Sequence, residues 1–508
     1  MFIEASIVRA LVLVAYFGLL AILAFYGSHR YLMVYLYRRH QGPDAKPLRE
    51  FSTDELPVVT IQLPLFNERY VCERLIDAVC RIDYPTDRLE IQVLDDSTDD
   101  TFDIVKRHVD RWQAEGVDIK HIHRTDRVGY KAGALEAGQA VARGEFVAIF
   151  DADFIPQEDF LLQTIHHFTE PSVGMVQTRW DHINRGYSLL TAAQAVLLDG
   201  HFVIEHTARN RSGRLFNFNG TAGIWRRSVI ADAGGWQHDT LTEDLDLSYR
   251  AQMKGWKFVF LRDVAVPSEL PVEMSSLKSQ QHRWAKGSIQ TAMKLLPTIL
   301  RSELPNWVKL EAFYHLTANA AYLLLVMLAV LMPVATVIRM HEGWMITLMV
   351  DLPIFLGATV SICTFYWTSQ RELGRRRIEI LRLLPAVMGL GIGLSLNNAK
   401  AVLEALVRHE TPFVRTPKYA IARRDQSWTG KSYFRKGTVM PLLEFLLGAW
   451  FTASIVFVIS TAQDGVYSLP FLMLFQFGFL YVACLSAWHG VKARSGRARA
   501  ALDVMEAT

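Results

Sequence analysis

The chain has little cysteine and little net charge. Among its 508 residues are 4 cysteines. Cys72, Cys80, Cys363 and Cys484 fall into no metal-ligand spacing, which argues against a disulfide framework and against a cysteine metal site. Cys72 and Cys80 lie in one predicted cytosolic helix and Cys363 and Cys484 in apolar spans, so buried free thiols are expected. A formal net charge of +3 supplies no global attraction for nucleic acid. The 16 histidines are scattered without metal-ligand spacing, and no Ser or Cys sits in a convincing triad. There is no internal repeat and no low-complexity tract. From about Val58 to Phe260 there is also no apolar run approaching the ~20 residues needed to cross a bilayer. What is present is a hydrophobic content of 51%, slightly above that of an ordinary soluble protein and unevenly spread.

The run "ALVLVAYFGLLAILAFYG", Ala10 to Gly27, is of crossing length. A cleaved signal peptide is the alternative, but the run is longer than a typical h-region and its basic cluster (His29, Arg30, Arg38, Arg39) follows it. The positive-inside rule then predicts a signal anchor with the N-terminus outside. Four more crossings are expected at Tyr314–Ile338, Met345–Trp367, Pro441–Ser460 and Tyr467–Trp488. A further stretch, Leu381–Leu396, has a short apolar core between two basic segments, "RELGRRR" and "RHETPFVRTPK". If both are cytoplasmic it cannot cross, and an interfacial helix over 378–407 is the better reading. The basic tail "VKARSGRARA" closes the count at five crossings of a cell (inner) membrane, with the C-terminus on the cytoplasmic side.

Between these regions short β-rich runs alternate with amphipathic stretches: "VVTIQLPLF" then Glu68–Ile82, "LEIQVL" then Asp99–Ala114, "VDIKHI" then Tyr130–Ala142, "EFVAIF" then Gln157–Phe168. Such alternation predicts a largely parallel sheet with helices on both faces. Ligands of such sheets collect where strands end, and two acidic clusters sit there. Asp95 and Asp96 follow "IQVL", and Asp151 and Asp153 follow "FVAIF". Asp99 and Asp100 read as residues of a helix start capped by Ser97 or Thr98, whereas Asp95 and Asp96 are not needed for capping. An Asp-x-Asp at a strand end suits a hard cation bridging to phosphates. In "LTEDLDLSYR", Thr242 reads as an N-cap with Glu243 and Asp244 in the first turn. "QQHRWAKG" places Gln280, Arg283 and Trp284 just before the spans. Arg suits a diphosphate and the Trp face suits a sugar ring; a plain basic interfacial helix would also supply Arg and Lys.

The set "FNE" (66–68), "DDSTDD", "GYKAGAL" (129–135), "DAD", "FNGTAGIWRR" (218–227), "LTEDLDLSYR" and "QQHRW" resembles the processive family-2 glycosyltransferases, in particular the cellulose-synthase-like synthases of mannan and xyloglucan backbones. The resemblance spans roughly Val58 to Lys418. It implies a GT-A, Rossmann-like cytosolic α/β domain joined to an α-helical multi-pass membrane domain. The expected divisions are an anchor at 1–40, the catalytic domain at 41–275, interfacial helices at 276–312, and a membrane domain at 313–508 holding a gating-loop-like segment at 410–420. By the resemblance, Asp95 and Asp96 contact the nucleotide and Lys131 lies near the donor. Asp151 and Asp153 hold Mg²⁺ or Mn²⁺ on the diphosphate, with Gln280 and Arg283 around it. Asp244 is the general base and Glu243 lies beside the acceptor. Trp284 lies under the acceptor sugar, and Phe218, Asn219, Gly220 and Thr221 form a loop near the acceptor end. Cellulose synthases carry a cysteine-containing motif in that loop, so the acceptor side departs from theirs. "PFVRTPK" resembles the gating loop through Phe413, Thr416 and Lys418, with Pro417 as a departure.

The implied activity is an inverting transfer from a nucleotide sugar, UDP-glucose first and GDP-mannose second. The product would be a β-linked hexan, 1,4-linked, moved across the bilayer as it grows. A non-processive transfer to a lipid carrier is the nearer alternative and a transporter without catalysis the more distant one. "NRS" (210–212) and "NGT" (219–221) fit the glycosylation pattern but fall in the cytosolic region, so no modification is expected.

Overall fold

The computed structural model describes residues 2–339, 344–431, 433, 439–461 and 467–507. Its centre is a seven-stranded sheet of β1 (Val59–Leu65), β2 (Leu89–Asp95), β3 (Ile119–His123), β4 (Phe146–Ile149), β5 (Val173–His182), β6 (Gly223–Arg226) and β7 (Lys257–Ser268) in the order β3-β2-β1-β4-β6-β5-β7. The first four strands pair in parallel, with Leu65 opposite Asp95 and Asp95 opposite His123. β5 and β7 also pair in parallel, so the sheet is largely parallel as expected. The one departure is β6, which runs antiparallel to both β4 and β5 and makes the sheet mixed.

β1 and β2 are buried almost throughout, yet they carry polar residues at alternate positions. The period of two puts these on one face, where they pair across strands. Thr60 Oγ1 donates to Glu90 Oε2 at 2.7 Å and Gln62 Nε2 to Gln92 Oε1 at 3.0 Å. The helix Tyr130–Val141 lies on this face. Gly138 lets it approach, since a Cβ there would fall 2.6 Å from Gln62 Nε2.

The local capping expectations are corrected. The helix after β2 starts at Thr101, not Asp99, and Asp100 stands at its N-cap position. Ser97 and Thr98 do not cap it; their hydroxyls bond Asn67, while Asp99 Oδ1 accepts from Thr101 N at 3.0 Å. Thr242 stands at the N-cap of Glu243–Met253 without a capping bond, its hydroxyl bonding Thr291 Oγ1 at 3.2 Å instead. Gly287 of the long helix Met274–Arg301 sits against Thr242, where a Cβ would meet Thr242 Cγ2 at 2.6 Å. That approach brings Asp244 and Trp284 to one region.

Among the described residues six helical stretches are long and apolar enough to cross a membrane: Ile7–Arg39, Ala320–Arg339, Met349–Glu372, Arg377–Leu406, Met440–Thr461 and Leu469–Gly496. Tyr314 lies in a separate helix, Asn306–Thr317, so the apolar run starts later than the sequence suggested. Residues 377–406 form two helices, Arg377–Gly393 and Ser395–Leu406, and the most apolar window across them is 56% buried against at most 33% elsewhere. Cys72 is buried and all four cysteines are free; Cys484 is exposed on its helix, contrary to expectation.

Candidate active site

Every acidic cluster predicted at a strand end is there, and each carboxylate has a specific partner. Asp95 closes β2 fully buried, with Oδ1 accepting from Ser97 N at 2.8 Å and Oδ2 2.9 Å from His121 Nε2. Burial works to raise this carboxyl, but the hydrogen bonds from His121 and Ser97 outweigh it and hold the group below the ordinary carboxylate range. Asp96 is gripped in bidentate fashion by Arg124, Nε at 2.8 Å and Nη2 at 2.6 Å, the strong planar geometry of guanidinium on carboxylate. Arg127 lies 3.2 Å over the Phe66 ring. The arginines and His121 were missed in the sequence. For His121 the signal is "HIH", because alternate residues of a strand share a face; the arginines carry no such pattern. His121, His123 and Asp95 bring possible metal-ligating atoms within 4.8 Å of one another, although the His121–Asp95 contact itself has hydrogen-bond length.

At the centre, Lys131 Nζ donates to Asp151 Oδ1 and, at 2.8 Å, to Gly220 O. Asp151 N donates to Thr221 Oγ1 at 2.9 Å. Gly220 has φ +81°, and a Cβ on it would lie 2.9 Å from Asp244 Oδ2 and 3.3 Å from Lys131 Nζ. Only glycine fits both the backbone and the space. Asp244 is the second residue of its helix, and its Oδ1 accepts from Leu245 N at 2.8 Å. Burial, and then the charge of Glu243, push its carboxyl up to about 7, against the pull of Lys131. Burial likewise raises Glu243. Burial works to lower the Lys131 ammonium, but Asp151, Glu243 and Asp244 outweigh it and raise it. A carboxyl that releases its proton near neutrality beside a fixed cation is suited to general-base work.

The segment 410–420 lies over these groups. Phe413 stacks on Tyr130 at 5.5 Å between centroids and takes the Arg283 guanidinium on its face at 4.7 Å. Arg283 Nη1 donates to Val414 O at 2.9 Å. Arg415 pairs with Glu68 at 3.1 Å, and Lys418 Nζ donates to Asp153 Oδ2 at 2.6 Å. Thr416 Oγ1 is buried with no hydrogen-bond partner among the described residues. Thus Asp151 and Asp153 each face an ammonium, Lys131 or Lys418. Two strand-end carboxylates that attract positive charge fit a hard divalent cation.

A cavity of about 650 Å³ is lined by Asp244, Asn219, Gln280 and Trp284 and extends between the apolar helices as far as Tyr467. Phe218 is not brought there: its ring is fully buried edge-on against Trp225. Thr221, also fully buried, supports Asp151 from behind.

Residues 57–287 match the family described as "Glycosyltransferase like family 2". The chain is 39% identical over 358 residues to glucomannan 4-beta-mannosyltransferase 7 of Arabidopsis thaliana, covering 67% of this chain and 64% of that protein. It is 42% identical over 313 residues to glucomannan 4-beta-mannosyltransferase 1 of Oryza sativa subsp. japonica, covering 58% of this chain and 60% of that protein. The chain thus spans less than two thirds of the length of these curated relatives. Among solved structures it is similar in fold to the mannosyltransferase PcManGT of Pyrobaculum calidifontis, in complex with GDP-Man and Mn²⁺. That likeness has a TM-score of 0.52 at 19% identity, over 79% of this chain and 99% of that one.

Proposed function

Because the chain carries a glycosyltransferase family 2 domain over residues 57–287, we propose that it is a membrane-embedded β-mannan synthase. In this reading it takes hexosyl units from a nucleotide sugar and adds them, with inversion, to a growing 1,4-linked chain. The observation that carries the proposal is Asp244: a carboxyl pushed up to about 7 in the wall of a cavity that Trp284 also lines. UDP-glucose stood first from the sequence motifs. The curated relatives are mannosyltransferases, which supports GDP-mannose ahead of it.

In the proposed reaction Asp244 takes the proton of the acceptor hydroxyl as that oxygen attacks the anomeric carbon, because a neutral hydroxyl is a weak nucleophile. Lys131 and Arg283 offset the charge that develops on the leaving diphosphate. Asp151 and Asp153 would hold Mg²⁺ or Mn²⁺, which would add charge stabilisation at the same diphosphate. Asp95 and Asp96, at the ends of the parallel strands, face the nucleotide. Phe413, Thr416 and Lys418 belong to a segment that must leave Asp153 and Arg283 when the donor enters. The domain divisions, an N-terminus outside with the C-terminus and catalytic domain in the cytoplasm, and an interfacial helix over 378–407 complete the proposal.

Incubating the purified protein with a panel of nucleotide sugars, followed by linkage analysis, tests it. Incorporation from GDP-mannose into 4-linked mannose supports the reading, and a single sugar on a lipid carrier replaces it with the non-processive one. The pH profile follows from Asp244. It must be ionised to accept a proton, so kcat/KM should rise about tenfold per pH unit below ~7 and level off above it. A profile flat from pH 5 to 8 counts against Asp244 as the base.

Replacing Trp284 with Ala removes the ring that a sugar would rest on, a contact of ~1 kcal/mol beyond burial, or about fivefold in occupancy. Polymer from Trp284→Ala should be shorter at unchanged affinity for the nucleotide. Chains of unchanged length would remove the acceptor role from "QQHRW".

A further inference from the structure

Beside the acceptor loop the chain contains a π-helix, Gly200–His206, between the helices Leu189–Asp199 and Thr207–Arg211. In an α-helix residues five apart stand about 140° apart around the axis. The i→i+5 turn instead brings them to one side, and His201 and His206 lie with ring centroids 4.3 Å apart. Both reach the same side chain: His206 Nε2 contacts Asn219 Oδ1, and Asn219 Nδ2 is 3.0 Å from His201 Nε2.

The protons on this set are fixed by its partners. His201 Nδ1 is 2.9 Å from Glu205 Oε2, and a carboxylate oxygen only accepts, so Nδ1 carries the hydrogen. Arg30 and Arg209 also donate to Glu205. Burial holds both imidazoles neutral, His201 well below its ordinary range and His206 down to about 3. The His201 Nε2 lone pair is then left to accept from Asn219 Nδ2. His206 Nδ1 is buried with no hydrogen-bond partner among the described residues, and its Nε2 faces an oxygen, which leaves His206 Nε2–H to donate to Asn219 Oδ1. A flipped amide would set lone pair against lone pair at His206's neighbour and hydrogen against hydrogen at His206 itself. One N–H of Asn219 is consumed by His201. The other has no partner among the described residues, and the side chain lies in the cavity wall with Asp244. The backbone of Asn219 is also tied, its N donating to Gln177 Oε1 at 2.9 Å.

We propose that the π-helix is a two-histidine clamp that fixes the Asn219 carboxamide so that its remaining N–H donates to a hydroxyl of the acceptor sugar, with His201 and His206 as positioning residues. The proposal rests on the glycosyl-transfer reading above. His121 and His123 serve a different end of the site and take no part. Gly200 seats the clamp against the helix Ser361–Glu372, since a Cβ there would fall 2.5 Å from the Phe365 ring.

The test uses the full-length purified protein, GDP-mannose and soluble manno-oligosaccharides, with GDP affinity measured in parallel. His201→Leu fills space but accepts nothing; His201→Gln offers Oε1 to Asn219 Nδ2. The Leu variant should raise the acceptor KM about fivefold or more with GDP affinity within twofold, and the Gln variant should recover most of it. A packing role predicts that Leu and Gln behave alike, and that result, or an equal loss of GDP affinity, overturns the clamp. Should His201→Leu fail to fold, the partly exposed Asn219→Ala decides: a raised acceptor KM supports the proposal and an unchanged one overturns it. If the parent protein transfers no mannose, it is the mannan-synthase reading that fails, and GDP binding then says whether the nucleotide site stands.

Discussion

Asp244→Asn should slow polymer formation by about 10²–10⁴-fold, the usual cost of losing a general base. The substitution nearly preserves shape and keeps an acceptor oxygen for Leu245 N, which now bonds Asp244 Oδ1 at 2.8 Å. It removes the capacity to take a proton and one negative charge beside Glu243 and Lys131. Nucleotide affinity should survive, because Asp95, Asp96 and Arg283 are untouched. The measurement is the single-turnover rate with saturating GDP-mannose beside GDP affinity in the same preparation. Synthesis at the parental rate would show that another group takes the proton.

Chelation should have an effect of similar or greater size. Asp151 and Asp153 are held by Lys131 and Lys418, the latter contact at 2.6 Å. An ammonium carries a single charge and cannot bridge a diphosphate as a hard divalent ion does. EDTA should therefore abolish incorporation, and added Mg²⁺ or Mn²⁺ should restore it. Restoration separates metal loss from denaturation. Full activity after exhaustive chelation contradicts a metal role for these carboxylates.

What could be read from the sequence was local. The runs "VVTIQLPLF", "LEIQVL", "VDIKHI" and "EFVAIF" became β1 to β4 with ends displaced by a residue or two, since apolar content and period announce a buried strand. β6 has four residues and takes its place by pairing antiparallel with β4 and β5, information that no local pattern carries. The same limit applied to the site. The carboxylates at strand ends were visible, but their partners were not: Lys418 reaches Asp153 from 265 residues away. Thr242 looked like a cap because spacing describes the backbone position, whereas its hydroxyl answered to a tertiary neighbour, Thr291. Phe218 stood in the right loop, yet the strand that follows turns its ring into the core beside Trp225. The π-helix is hidden for a related reason. An inserted turn shifts the helical period within one stretch of apolar residues, and only the meeting of His201, His206 and Asn219 reveals it.

The most direct test of the account is the size of the product at low conversion. The purified protein, in excess over free chain ends, is given labelled GDP-mannose and stopped after a few per cent of it is consumed. A processive synthase that keeps its chain in the cavity beyond Trp284 should already have made long polymer, soluble only after digestion by an endo-β-1,4-mannanase. Label confined to single sugars on lipid, or to polymer that the mannanase leaves intact, would contradict it.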